Sequence, residues 1–402
     1  MSKQWIGRSR IREILFCSGA LAMMGTHGAV AEEVLKIGSL GVMSGPAAGW
    51  GGVMCQTAQT HAAIVNDDGG VLIGDQKYKI EIECYDTRMD PKVAQTGAER
   101  LVSEEGIRYV LGPNVDSTAA SVKPVMEANA SINFPYAFSK ELYEPPASNS
   151  VLGMVASYQV APLIYEYMRD ERGVKTIAFI ARNDADPLNQ RTQALKIAEG
   201  LGLEVVVSDL TYEPGTTDFF PIMTNVVAAN PDQIVLTGVA PSDVGPLIKA
   251  TRELGYEGEM STETGQDPAA LCEVAGAYAD GFIAAGGAST EEIRSEFMAE
   301  FIDRYSEMWG EWNDVAALYV YAPEILLQTL QAAGPEALDD VEKFKAMLDT
   351  FSGDNPFLKD PTPMRYVGRD DFGQARQVSV PVVVQYVEDC AFKPLFLATL
   401  SD

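Results

Sequence analysis

Histidine is almost missing from this chain, with two residues in 402, of which His61 alone lies beyond the first thirty. That scarcity removes the commonest general base and the commonest metal ligand, and a single histidine on a helix reads as structural. No His-Glu-x-x-His pair, Gly-x-Ser-x-Gly elbow or phosphate-binding Gly-Lys loop occurs, and no glycine fingerprint follows a strand, so the motifs of the common hydrolases, kinases and dehydrogenases are absent. Acidic pairs such as Asp184 and Asp186 occur, but nothing pairs them with a nucleophile. Basic residues are the second shortage: 30 Lys and Arg stand against 57 Asp and Glu, a net charge of −27. Such a surface repels nucleic acid and anionic headgroups and favours solubility; a solvated face explains it more simply than an acidic substrate or stored metal would. Long hydrophobic runs are also lacking. The apolar segment Ile14 to Met24 is too short to span a bilayer and nothing later approaches eighteen residues, so a soluble mature protein is expected.

That segment follows Lys3, Arg8, Arg10 and Arg12 and precedes Ala29-Val30-Ala31. The pattern is a secretory signal peptide, residues 1–31, cut after Ala31; Leu15-Phe16-Cys17 is a poor lipobox. Removing the leader takes the net charge to −30. Four cysteines then remain, Cys55, Cys84, Cys272 and Cys390. An even count in an exported chain permits two disulfides, and pairing within each domain, Cys55 with Cys84 and Cys272 with Cys390, stands beside the alternative of buried free thiols. No two have the short spacing of a zinc site, so neither metal nor cofactor is expected.

At this length two domains are the default, and 47% hydrophobic residues can fill both cores. Strand and helix alternate: Leu35–Leu40, a helix from Gly52 to Asn66, the strand Tyr78–Tyr85, a helix from Pro91 to about Glu104, a short strand Arg108–Leu111 and a helix Ala119–Ala128. The rhythm restarts with a helix at Ala161–Arg169, the strand Thr176–Ile180, a helix near Asn189–Leu201, the strand Glu204–Val207, a helix near Thr217–Ala229 and the strand Gln233–Thr237. Two βα series imply two Rossmann-like parallel layers. No Pro/Ser-rich linker, repeat or low-complexity tract separates them, so short crossing strands rather than a tether should join them. The β-branched stretch Val378–Val387 should be sheet.

Several segments now carry a resemblance: Gly41–Pro46 with Trp50-Gly51, Val65–Val71, Asp90-Pro91 with Ala98–Val102, Tyr109–Pro113, Gly255–Gly258, Ala316–Tyr319 to Ala333-Gly334, and Arg369–Gly373. In this order they resemble the leucine/isoleucine/valine-type periplasmic binding proteins of ABC importers. The resemblance implies a type I periplasmic binding fold: two α/β lobes, joined by three crossings near Val155, Ala284 and Gln377, with a ligand cleft between them. The lobes would span 32–154 plus 285–376 and 155–284 plus 377–402. A cleft beyond the carboxyl ends of parallel strands agrees with where open α/β sheets bind ligands.

By the same resemblance Trp50 covers the ligand, unless it only packs on its lobe. The family's ligand-binding serine aligns with Asp116, beside Ser117. An ionised carboxylate there would repel an α-carboxylate, so either Ser117 donates or the ligand presents an ammonium or hydroxyl; capping of the following helix is the bland alternative for both. In Phe134–Ser139 the ungapped register gives Ala137 and Ser139 the ligand contacts, and a one-residue gap gives them to Tyr136 and Phe138; we take the ungapped one, which keeps a hydroxyl where one is needed, and free main-chain N–H groups on such a loop form an anion site suited to a ligand carboxylate. In the second lobe Asp186 stands where the family has a tyrosine, with a solvated turn as its alternative. The acidic partner of a ligand ammonium falls at Glu263-Thr264, and alternation should send only one of these two inward. With three contacts changed, no particular amino acid is implied. The expected role is capture of an amino acid or similar small solute in the periplasm by a monomer that docks on the permease subunits of an ABC transporter; delivery to a membrane sensor is the alternative.

Overall fold

The alternating pattern builds two α/β lobes in a computed structural model, which describes residues 33–147 and 149–400. The expected leader lies outside the described residues. The first lobe opens with β1 (Glu33–Gly41), α1 (Ala48–Asp67), β2 (Val71–Ile73), β3 (Gln76–Asp86), α2 (Pro91–Glu99), β4 (Tyr109–Asn114), α3 (Asp116–Ala128) and β5 (Ile132–Tyr136). Asp90 starts α2 by accepting from the main-chain N–H groups of Lys92 and Val93, with Pro91 in the first turn, the usual chemistry of a helix entry. The sheet order is β2-β3-β1-β4-β5. β1 pairs in parallel with both β3 and β4, so successive connections leave it in opposite directions.

The second lobe follows with α4 (Ser157–Glu171), β6 (Thr176–Arg182), α5 (Ala185–Gly200), β7 (Glu204–Val207), β8 (Thr211–Tyr212), α6 (Phe220–Ala228), β9 (Gln233–Leu236), α7 (Pro241–Glu253), β10 (Glu259–Gly265), α8 (Pro268–Ala275) and β11 (Ile283–Gly286). Along β6, Ala178 and Ile180 enter one hydrophobic cluster while Ile177 and Phe179 enter another. The strand is therefore covered on both faces, which is why it reads as an unbroken apolar run instead of alternating.

Helices α9 (Glu296–Trp309), α10 (Ala316–Tyr319) and α11 (Tyr321–Ala333) add to the core of the first lobe. A small sheet of β12 (Ser352–Gly353), β13 (Met364–Val367) and β14 (Gln377–Val378) follows. The antiparallel pair β15 (Val382–Glu388) and β16 (Ala391–Ala398) then extends the second sheet to the order β16-β15-β11-β10-β9-β6-β7. Three times along the chain close neighbours feed different cores: Met154 and Val155, Ala285 and Ala288, Val380 and Val382.

Cys55 on α1 lies opposite Cys84 on β3, and Cys272 on α8 opposite Cys390 in the β15–β16 turn, with Cα atoms 6.1 and 5.7 Å apart and sulfurs at bonding distance. The intradomain arrangement is thus the one present, not the free thiols. His61 is buried on α1 and shares a 2.6 Å hydrogen bond with Glu324 on α11, tying the first helix of the lobe to one of its last.

Five helix starts differ from expectation. α1 at Ala48 and α4 at Ser157 each begin four residues early, and α6 at Phe220 begins three residues late. α3 begins at Asp116, three residues early, and α5 begins at Ala185, four residues early. Pro187 does not block the second, because a proline in the first turn forfeits no intrahelical bond.

Candidate ligand-binding cleft

In each sheet the strand order reverses at one place: between β1 and β4 in the first and between β6 and β9 in the second. Connections leave in opposite directions there and open a crevice at the carboxyl edge. The two crevices face each other. One cavity lies between them, walled by Trp50 beyond β1, Asn114 to Asp116 from the end of β4 onward, Tyr136 to Phe138 from the end of β5 onward, Arg182 at the end of β6 and Asp186 beyond it, Gly238 beyond β9 and Glu263 to Gly265 at the end of β10, with Tyr319 from α10. Its volume, as space for the centre of a water-sized sphere, is about 50 Å³.

Close packing brings these edges together. A side chain on Gly112 would collide with the carbonyl of Leu40, and one on Gly51 with the backbone of Val42, so glycine lets β4 and the first turn of α1 press on the end of β1. Val115 adopts φ 63° and ψ 144°, a conformation a β-branched residue rarely takes and which costs of order 1–3 kcal/mol. That turn swings Asp116 toward the loop after β5. Its Oδ1 accepts from the N–H groups of Phe138 and Ser139 at 2.6 and 2.9 Å.

Contacts from the first lobe to the second cross the cleft at several points. The Asp116 N–H donates to Asp186 Oδ1 at 2.5 Å, Asn189 Nδ2 donates to Asp116 Oδ2 at 3.1 Å, and Trp50 Nε1 lies 3.5 Å from the carbonyl of Gly265. Arg182 is buried and its Nε–H donates to Asp184, while its Nη2 lies 4.0 Å from Met89 Sδ.

Burial raises the carboxyl of Asp186 to about 7, and the charge of Asp116 beside it pushes the same way, against the pull of the Asp116 N–H. Glu263 is likewise raised to about 7 by burial, although the Tyr165 hydroxyl donates to its Oε1. Its Oε2 has no partner, nor do Gln190 Oε1 and the Tyr136 hydroxyl. Tyr136 and Tyr319 meet edge to face at 4.8 Å, and the Tyr319 hydroxyl bonds the side chain of Asn114.

Trp50, Asp116, Ala137, Phe138, Asp186, Glu263 and Thr264 therefore border one cavity. Ser117 and Ser139 do not; they border a separate open depression on the far side of Asp116. Three expectations are corrected. Capping does not occupy Asp116, because α3 has no side-chain cap and the Asp116 carboxylate is held by the neighbouring loop. Asp186 is buried in the first turn of α5 rather than solvated. Glu263 and Thr264 both reach the cavity, because it lies beyond the strand end and not against one face of the sheet.

Arg182, Asn114, Gln190 and Tyr319 were not singled out from the sequence. For Arg182 there was a signal: a lone charge closes the otherwise apolar run Ile177–Ala181. Tyr319 lay inside a segment that carried the family resemblance. Among the described residues no group of three or more His, Cys, Asp or Glu is placed to hold a metal, and no helix is long and apolar enough to cross a membrane.

Two α/β lobes with a cavity between their facing switch points define a bilobal solute-binding protein. Residues 34–390 match the model of the family described as periplasmic binding protein, and the chain belongs to that family, whose members bind solutes and are not enzymes. It is 25% identical over 348 residues to the Leu/Ile/Val/Thr-binding protein of Salmonella typhimurium, covering 84% of this chain and 90% of the relative. The Leucine-specific-binding protein of the same organism is 25% identical over 284 residues, 66% of this chain and 70% of the relative. Among solved structures, the LivJ substrate-binding protein of Streptococcus pneumoniae in complex with isoleucine aligns with TM-score 0.75 at 18% identity, covering 92% of this chain and 99% of that one. A solute-binding protein of R. palustris in complex with 4-hydroxybenzoate gives the same TM-score and identity, covering 92% and 98%.

Proposed function

We propose that this protein captures an amino acid or similar small polar solute outside the cytoplasmic membrane and delivers it to the permease subunits of an ABC importer. In this reading residues 1–31 are a cleaved leader and the mature chain works as a monomer in the periplasm. Its lobes comprise 32–154 plus 285–376 and 155–284 plus 377–402, moving about the three crossings. The observation that carries the reading is the cavity shared by the two switch points, bridged by the Asp116–Asp186 and Trp50–Gly265 contacts. Hinge closure around a solute is the established motion of periplasmic binding proteins as a class, and these bridges are contacts that closure would make. Trp50, Asp116, Ala137, Phe138, Asp186, Glu263 and Thr264 are the ligand-facing residues of this reading. Ser117 and Ser139 are left out of it because they border the other depression.

A thermal-shift panel of amino acids, amides, quaternary amines and aromatic acids tests capture. A solute at a hundredfold its Kd adds about 2.7 kcal/mol to stability, so a binder raises the melting midpoint with the logarithm of its concentration. The binder should then be taken up by proteoliposomes containing the permease and ATPase only when this protein is added. A panel with no shift overturns capture; a shift without uptake overturns delivery and favours a sensor.

A further inference from the structure

The loop Tyr136–Ser139 turns the N–H groups of Phe138 and Ser139 toward one point, and Asp116 Oδ1 occupies it. Converging main-chain donors form an anion site. This protein fills it with its own carboxylate, so a ligand carboxylate finds those donors already committed. The second Asp116 oxygen is also engaged, by Asn189.

The unsatisfied polar atoms of the residues that line the cavity are of the opposite kind. Glu263 Oε2, Gln190 Oε1 and the Tyr136 hydroxyl have no protein partner, and each belongs to a residue at least nine-tenths buried. The amide oxygen can only accept a hydrogen bond, and so can the Glu263 oxygen once its carboxyl is ionised. Three acidic residues, Asp116, Asp186 and Glu263, line the space against Arg182 alone, whose Nε–H is spent on Asp184. Trp50, Tyr136 and Tyr319 supply ring surface of the kind that attracts cations. With about 50 Å³ open to the centre of a water-sized sphere, the closed cleft is small, which favours a compact ligand.

We propose that the cleft takes a compact organic cation bearing several N–H donors and no carboxylate, of the size of guanidinium or a short alkylammonium, rather than an α-amino acid. The inference rests on the solute-capture reading and specifies its ligand: Glu263, Gln190 and Tyr136 receive the N–H groups, the rings cover the flat face, and Asp116 excludes carboxylate-bearing rivals while adding negative field.

Isothermal titration of the mature protein with guanidinium, with urea as its neutral counterpart of the same shape, and with leucine tests this. Guanidinium should bind, urea should be weaker by at least about tenfold, the equivalent of one charged hydrogen bond, and leucine should give no heat. Asp116→Asn removes the charge and keeps one oxygen for the loop N–H groups, its amide nitrogen replacing the oxygen that Asn189 meets, and Glu263→Gln removes the charge beside the Tyr165 hydroxyl. Each should weaken guanidinium binding by about tenfold or more, in protein whose circular dichroism shows it folded. Guanidinium that gives no heat, urea that matches it, or affinity unchanged in both variants overturns the proposal. Leucine binding as tightly as guanidinium also overturns it, yet leaves solute capture standing, because capture fails only when no solute of any class shifts the midpoint.

Discussion

Asp186 and Glu263 both border the cavity from the second lobe, their carboxyl groups raised to about 7 mainly by burial. Asp116 and Asp184 add to the rise at Asp186 while Arg182 and the Asp116 N–H oppose it; at Glu263 only the Tyr165 hydroxyl and local main chain oppose it. A carboxyl group raised in the folded state binds its proton more tightly there than when unfolded, so its contribution to stability is fullest below pH 4 and is lost as pH climbs toward 7. The ligand-free protein should accordingly melt lower at pH 8 than at pH 5.5, and the double variant Asp186→Asn, Glu263→Gln should show a smaller drop. A cation favours the ionised carboxylates, so its affinity should rise over the same interval, by up to about tenfold per pH unit for each proton released. Calorimetry at pH 5.5, 7 and 8 measures both effects; equal affinity at all three would contradict the role assigned to these two groups. Trp50 offers a separate check. Trp50→Ala should weaken cation binding by roughly 0.5–2 kcal/mol, the range of a cation–ring contact, with little change in the melting midpoint, since Trp50 is only partly buried.

At the scale of elements, α1 and α11 are locked by the His61–Glu324 bond. Burial pushes the Glu324 carboxyl up, but hydrogen bonds from His61 and Gln328 outweigh it and leave the group below its usual range. Removing His61 strands a buried acceptor, which typically costs about 1–3 kcal/mol. His61→Leu should therefore lower the urea midpoint by that energy divided by the slope of the transition, with the slope itself unchanged, and should leave ligand affinity alone, because neither residue borders the cavity. Most helices and strands could be placed from hydrophobic periodicity, since the period reports which face meets a core. The starts of α1, α3, α4, α5 and α6 could not. The first turns of α3 and α5 lie at the cleft, where Asp116 and Asp186 bond across it, and a local pattern contains no information about a partner seventy residues away.

For the whole molecule, the two disulfides enclose loops of 29 and 118 residues, one in each lobe. By loop-closure entropy each should add roughly 3–5 kcal/mol, the longer about 1 kcal/mol more. Peptide mapping without reduction should link Cys55 to Cys84 and Cys272 to Cys390, and reduction should lower the melting midpoint. Four thiols free to alkylation in unfolded, unreduced protein would remove both bridges. Because each bridge lies within one lobe, reduction should weaken the lobes without loosening the contacts across the cleft.

The sequence by itself determined the two-lobed α/β class, the neighbourhood of the cleft and the unusual acid at position 116, because alternation, turn residues and the ordered segments of the family resemblance are written along the chain. It also narrowed the disulfides to one preferred pairing. Only the tertiary structure decided that Ser117 and Ser139 lie outside the cavity, that Glu263 and Thr264 both border it, and that Arg182, Gln190 and Tyr319 join them. The register of the Phe134–Ser139 loop shows why. Whether its N–H groups meet a ligand or Asp116 depends on a strained turn at Val115 and on how β4 and β5 end side by side, and both are set by the packing of strand ends, not by the order of residues within either strand.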